Sequence, residues 1–192
     1  MVKSQDLNRP NMQGQLKPRE RQSLYEWVKK SQPKVVLEVG TWKGGGSTWQ
    51  IANAIRDANV GGHLTTCEVD PILYTEAKKI FNTDHWRPHV TCLLKPSTEV
   101  IPTLNPDFAF FDGPNDADLS LSDFKLLETR MASGSWFACH DWDRIEHNDG
   151  ERIVVAEKCV KLRPYLEKHT GWRILQTLTK PISVGLVLAE KK

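Results

Sequence analysis

Residues 35–50 read VVLEVGTWKGGGSTWQ, and this stretch decides the fold. A short apolar run ends at Val39 with one acid, Glu38, set inside it. Gly40 follows, then Gly44, Gly45 and Gly46, and Ser47-Thr48 open a helical pattern. A brief apolar run bounded by glycines is the pattern of a strand covered on both faces. Glycine packs nothing and costs backbone entropy, so a cluster directly after a buried strand marks a close approach to the backbone.

Working outward, the same alternation repeats. HLTTCEVD, HVTCLL, DFAFFDG and SWFACHDW read as further strands. Between them STWQIANAIRDA, PILYTEAKKIFNT and LSLSDFKLLETRM have helical periodicity, and STEVIPTL reads as a short helix or turn. Ser47 or Thr48 is the expected cap of the first of these helices. ERIVVAEKCVKLRPYLEKH reads as one helix containing Pro164, and PRERQSLYEWVKKSQ as a helix before the first strand whose charged positions form a wet face. WRILQTL and ISVGLVLAE close the chain with only a short connection between them, which suits a hairpin. Strands alternating with helices imply right-handed crossovers. The expected fold is therefore α/β: a doubly wound, seven-stranded, mostly parallel sheet ending in an antiparallel hairpin. Residues 1–33 are expected to form a loose arm and a covering helix, and 34–192 the domain proper.

A formal net charge of +2 on 192 residues, 26% of them charged, gives no field for nucleic acid. Four cysteines without a C-x-x-C pair argue against a zinc site or a disulfide framework. The opening residues carry no apolar signal core and no run approaches a membrane span, so a cytoplasmic chain is expected.

In an open parallel sheet, ligands bind beyond the carboxyl ends of the strands. Those ends carry Glu38, Glu68, Ser97, Asp112, and His140 with Asp141. Two glycine-loop readings are disfavoured. A dinucleotide loop needs a second glycine where Trp42 stands, and a phosphate loop needs its lysine after the glycines, whereas Lys43 precedes them. An acid just before the first glycine suits a ligand bearing positive charge.

VLEVGTWKGGGST resembles the first motif of class I S-adenosylmethionine-dependent methyltransferases, in their small-molecule O-methyltransferase form. TTCEVDP is similar to that family's second-strand motif, DFAFFDGPND to the fourth, and GSWFACHDW to the fifth, so the resemblance runs from Lys34 to Lys192. It implies a Rossmann-like methyltransferase fold and transfer of a methyl group from S-adenosylmethionine to a small-molecule hydroxyl. By the same resemblance Glu38, Gly40, Thr41, Gly44, Ser47, Glu68, Ser97 and Asp112 bind the cofactor, with Glu68 on the ribose and Ser97 beside the adenine. Ser47 falls one place later than the family pattern, and Asn115 stands where a histidine is common, so that position holds no base.

Metal-dependent relatives hold a divalent cation with the fourth-strand acid and residues after the fifth, a scheme that Asp112 and Asp141 fit for Mg²⁺, with His140 beside them. Without a metal, His140 is the expected base, since an imidazole pKa near about 6.5 suits proton removal from a hydroxyl. His140 and Asp141 are thus the candidate catalytic pair. The implied partners are a small-molecule acceptor, no nucleic acid and no membrane, with a homo-oligomer left open. The rival readings are a binding protein of the same fold without turnover, and a nicotinamide-dependent oxidoreductase.

Overall fold

The computed structural model describes residues 15–143, 146–148, 153–155, 157–179 and 183–192, with backbone alone for 146–148 and 153–155. Most of the expected N-terminal arm lies outside the described residues. The chain runs α1 (Pro18–Ser31), β1 (Val35–Val39), α2 (Ser47–Ala58), β2 (His63–Glu68), α3 (Pro71–Phe81), β3 (Val90–Leu94) and α4 (Ser97–Val100). A 3₁₀ turn (Ile101–Thr103), β4 (Phe108–Phe111), α5 (Ala117–Glu128) and β5 (Trp136–His140) follow. The chain closes with β6 (Glu146–Asn148), β7 (Ile153–Val155), α6 (Cys159–Lys168), β8 (Trp172–Leu178) and β9 (Leu186–Lys191).

Seven strands form one sheet in the order β3-β2-β1-β4-β5-β9-β8. The first five are parallel, and β9 pairs antiparallel with both β5 and β8. This is the doubly wound sheet with a terminal hairpin that the sequence implies. The order reverses between β1 and β4, so ligand space opens at the carboxyl ends of those two strands.

Period-2 alternation sends the strand residues to two cores. Val36, Leu64, Phe108, Phe110, Ala138 and Leu186 pack with Leu24, Val28, Ile51 and Ile55 of α1 and α2. Leu37, Val39, Cys67, Ala109, Phe111, Phe137 and Val187 pack with Phe124 and Leu127 of α5 and Leu162 and Leu166 of α6. Asp70 caps α3, accepting from the amides of Ile72 and Leu73 at 2.7 and 3.1 Å, with Pro71 in the first turn. Asp116 caps α5 in the same way, from the amides of Asp118 and Leu119. That cap starts α5 ahead of the expected LSLSDF.

Three local expectations fail. The segment expected as one helix from Glu151 contains β7, which pairs with β6, and α6 begins only at Cys159. Its Ile-Val-Val run is β-branched, and that stiffness favours a strand over a helical turn. The cap of α2 is Gly46, which has no side chain, while Ser47 is the first helical residue and Thr48 turns inward. The charged positions of α1 are not all wet, because Glu20 is fully buried.

Candidate active site

The carboxyl ends of β1, β2, β4 and β5 open onto a cavity of about 830 Å³. Among its lining residues are Gly40, Thr41, Trp42, Gly46 and Ser47 of the glycine loop, Glu68 after β2, and Ser97 at the start of α4. Asp112, His140 and Asp141 line it from the β4 and β5 side, together with Lys158.

The glycine loop is held from below. Glu38 lies beneath it, fully buried, and its Oε2 accepts from the hydroxyls of Thr48 and Thr66 at 2.7 Å each. Thr66 is Glu38's direct neighbour on the adjoining strand β2. Thr41 Oγ1 lies 2.5 Å from the same Thr66 hydroxyl and joins this chain. Burial pushes the Glu38 carboxyl up to about 7, against the opposing hydroxyls of Ser47, Thr48 and Thr66. Among the described residues its Oε1 makes no hydrogen bond within normal limits. The amides of Gly40 and Thr41 both donate to the carbonyl of Cys67, at 3.1 and 3.2 Å.

Gly40 has φ +95°, and a Cβ there would lie 2.3 Å from the carbonyl oxygen of Asp112. What approaches the backbone at Gly40 is therefore the end of β4. Gly44, with φ +77°, backs onto Phe81 and Ala77 of α3. Neither Glu38 nor Gly44 is among the cavity-lining residues; both fix the loop from outside.

Glu68 holds the loop from the other side. Its Oε2 accepts from the amide of Trp42 at 2.8 Å, and its Oε1 from the amides of Val69 and Asp70 at 2.9 and 3.1 Å. A carboxylate offers about four acceptor sites, so one remains for a ligand hydroxyl. Ser97 donates to Asp123 of α5 at 2.6 Å, and among the described residues the other oxygen of this buried aspartate has no hydrogen-bond partner. Asp123 escaped the sequence reading because it lies inside a helical pattern, between Ser122 and Phe124, a setting that gives no motif.

The β4 and β5 ends carry a compact ionic cluster. Lys158 Nζ lies 2.7 Å from Asp112 Oδ1 and 3.0 Å from Asp141 Oδ2. His140 Nδ1 donates to Asp112 at 3.2 Å and lies 3.4 Å from Asp141 Oδ1. Its Nε2 donates to Glu20 Oε2 at 3.3 Å. Burial disfavours the imidazolium, but Asp112, Glu20 and Asp141 outweigh it and raise the His140 pKa to about 10. Burial likewise works against ionised Asp112, yet Lys158 and His140 hold its carboxyl down at about 2. The Lys158 ammonium is favoured by Asp112 and Asp141 beyond what its burial costs. Asp141 sits in the left-handed region at φ +56°, a conformation that concentrates at functional sites.

This cluster weighs against the expectation of His140 as a base. Both its nitrogens face carboxylates, so the ring is charged at neutral pH and has no lone pair to offer. Glu20 and Lys158 were missed. Glu20 reads as one more surface charge of α1, and Lys158 lies in a basic helix start. One signal was available for Lys158. Asn115 Oδ1 accepts from the amides of Glu157 and Lys158 at 2.6 and 3.2 Å, so the residue that departs from the family pattern is the clamp that sets Lys158.

The metal expectation meets the same residues. Asp112, His140 and Asp141 offer ligand atoms within 4.8 Å of one another. However, both carboxylates already grip an ammonium and the imidazole is protonated. A unit charge about 4 Å from an ammonium is repelled by about 4 kcal/mol at an effective dielectric near 20, and a dication by roughly twice that. The donor set does not fit a divalent cation while Lys158 is in place.

Of the tryptophans near this edge, Trp42 lines the cavity and Trp142 is core. Trp136 starts β5 at the opposite end. No helix among the described residues is long and apolar enough to cross a membrane.

Solved structures show the same architecture. An O-methyltransferase from Bacillus cereus, in complex with S-adenosylhomocysteine, superposes with a TM-score of 0.72 at 17% identity, covering 95% of this chain and 84% of that one. The Streptomyces achromogenes O-methyltransferase TomG, in complex with S-adenosylmethionine, gives 0.69 at 17% identity over 95% and 83%. The methyltransferase PaMTH1 of Podospora anserina, bound to S-adenosylhomocysteine, gives 0.70 at 17% identity over 90% and 77%. At these identities the likeness establishes the fold. Comparison with curated protein sequences gives no match. Residues 37–142, more than half of the chain and running from within β1 to just past β5, match the family described as methyltransferase domain, and the chain belongs to that family.

Proposed function

We propose that the chain is an S-adenosylmethionine-dependent methyltransferase acting on an oxygen of a small molecule. The observation that carries this is the single cavity wall shared by the glycine loop, Glu68 and the Asp112–His140–Asp141–Lys158 cluster. About 830 Å³ is at the upper end of small-molecule sites, which run from roughly 300 to 1,000 Å³. That leaves space for a cofactor and a small acceptor side by side.

The residues fit the cofactor. Glu68 keeps an acceptor site for a ribose hydroxyl, Val69, Leu73 and Leu119 supply apolar wall for a flat ring, and Ser97 lies alongside. Asp112 and Asp141 give the other end negative character that suits a sulfonium. When bound, S-adenosylmethionine supplies a methyl group on a positively charged sulfur. The chain's own part is to orient the two reactants, since aligned reactants gain most of their rate from proximity. In this reading Glu38 and Gly44 position the glycine loop without touching the ligand. The O-methyltransferases of B. cereus and S. achromogenes, crystallised with this cofactor or its product, support the choice of oxygen as acceptor atom.

Calorimetric titration with S-adenosylhomocysteine and with NAD tests the reading. Binding of the first alone is expected, and binding of NAD alone would overturn it. Glu68→Ala should weaken S-adenosylhomocysteine binding roughly tenfold or more, because a hydrogen bond to a charged group contributes about 1.5–3 kcal/mol. Unchanged affinity would remove Glu68 from the ligand. A thermal melt of the same variant controls for the lost tether to Trp42.

A further inference from the structure

Two carboxylates at the ends of neighbouring strands β4 and β5 bracket one point in the cavity wall, and Lys158 Nζ stands there. It lies 2.7 Å from Asp112 Oδ1 and 3.0 Å from Asp141 Oδ2, with a side chain only 3% exposed. The backbone that delivers it is pinned to the β4 loop by Asn115, and Cys159, the next residue, packs its thiol 3.5 Å from that of Cys139 beneath the site. His140, 3.2 Å from Asp112, closes the other side. A lysine clamped at its backbone, buried along its stem and gripped by two acids at its head is a built feature.

We propose that Lys158 is the permanent cation of this site, filling the position between Asp112 and Asp141 that a divalent metal would otherwise take, so that methyl transfer by this chain needs no metal. The proposal rests on the methyltransferase reading for the reaction it serves, but not for the occupancy it asserts. An ammonium has three N–H donors. Asp112 and Asp141 take two, which leaves one to hold a single acceptor oxygen, where a metal ion could bind two adjacent ones. In the transfer, the acceptor hydroxyl gives its proton to water in the open cavity. Its oxygen lone pair forms the new O–CH₃ bond, and the S–CH₃ bond breaks with its electrons returning to sulfur. S-adenosylhomocysteine and the methyl ether leave. The Lys158 ammonium keeps its protons throughout.

The test is Mn²⁺ titration read by electron paramagnetic resonance, with S-adenosylhomocysteine present, on the native chain, Lys158→Arg, Lys158→Ala and Lys158→Met. The native chain and Lys158→Arg are expected to leave millimolar Mn²⁺ free. Lys158→Ala and Lys158→Met vacate the position between two carboxylates and are expected to bind Mn²⁺ roughly tenfold or more tightly than the native chain. Mn²⁺ bound by the native chain and lost in Asp141→Asn would overturn the proposal. So would two cooperatively melting neutral variants that bind no Mn²⁺, since Asp112 and Asp141 would then not form a cation position at all. The native titration decides alone if the neutral variants do not fold. Failure of the native chain to bind S-adenosylhomocysteine by calorimetry would count against the functional reading instead, leaving the Mn²⁺ result to stand by itself.

Discussion

Gly40→Val is expected to abolish S-adenosylhomocysteine binding and to lower the melting temperature by roughly 5–15 °C. The cause lies in the protein itself. A Cβ at residue 40 would sit 2.3 Å from the Asp112 carbonyl oxygen, 2.6 Å from its carbon and 2.8 Å from the Gly113 amide nitrogen. All three are backbone atoms of the β4 end, which β1 pairs along its length, so none can yield as a flexible side chain would. Overpacking costs about 1–3 kcal/mol and a left-handed conformation about 1–2 more. For a chain of this size each kcal/mol is about 2–4 °C. Any relief moves Asp112 and the glycine loop apart, which dismantles the cavity wall. Gly44→Ala is the control. Its Cβ would press on the Phe81 and Ala77 side chains, away from the cavity, so stability should fall while S-adenosylhomocysteine binding survives. Differential scanning calorimetry and ligand titration on the two variants separate these effects. Native-like binding by Gly40→Val would show that the β4 end does not set the loop.

Gly40 illustrates how far the sequence carries. Periodicity and glycine placement were enough for seven strands, five of them parallel and two in a closing hairpin, and for the edge at which a ligand binds, because the signals that carry them are local. The mistakes came where a residue's role depends on a distant partner. Glu38 was legible as the acid before the first glycine, but not that Thr66 and Thr48 would occupy its lower oxygen and seat it under the loop. His140 was legible as a strand-end histidine. Its charge state was not, because one of the acids that set it, Glu20, lies 120 residues away on α1. Alternation explains the meeting in hindsight. His140 shares the face of Ala138, and that face packs α1. Lys158 was hidden for a different reason. It follows a segment whose helical composition concealed β7, so its place next to β4 depended on a hairpin that the pattern did not show.

Glu20→Gln is expected to destabilise the fold by about 3–5 kcal/mol at neutral pH, the range for removing one partner of a buried ion pair. Glu20 is fully buried and gathers four donors from three parts of the chain. The Ser183 hydroxyl lies at 2.5 Å, the Val184 amide at 2.9 Å, the Lys17 amide at 2.7 Å and His140 Nε2 at 3.3 Å. It therefore ties α1 and the β8–β9 connection to the catalytic edge. The variant should also change how stability depends on pH. With its folded pKa at about 10 and an unfolded value of about 6.5, His140 contributes stability that is complete below 6.5 and lost as pH rises through 10. Asp112 acts in the opposite sense, its contribution being complete above about 3.8 and lost as pH falls through 2. Glu38, raised to about 7, confines its own loss of stability with rising pH to the interval below 7. The buried thiols of Cys67 and Cys92, both raised to about 12, and of Cys139, also raised by burial, add to this loss as pH approaches their ordinary value of about 8.5. Between about pH 7 and 8.5 the tails of the Glu38 and thiol titrations add to that of the histidine, whose own retained proton contributes a slope of about −1.4 kcal/mol per pH unit. Urea denaturation across that interval should show a slope of this size or steeper in the native chain and a shallower one in Glu20→Gln, whose imidazolium has lost one of its three acids. His140→Gln should be shallower than the native chain by about 1.4 kcal/mol per pH unit, the share of the histidine. An unaltered slope in His140→Gln would mean that the imidazole is not held charged, and would return it to consideration as the base.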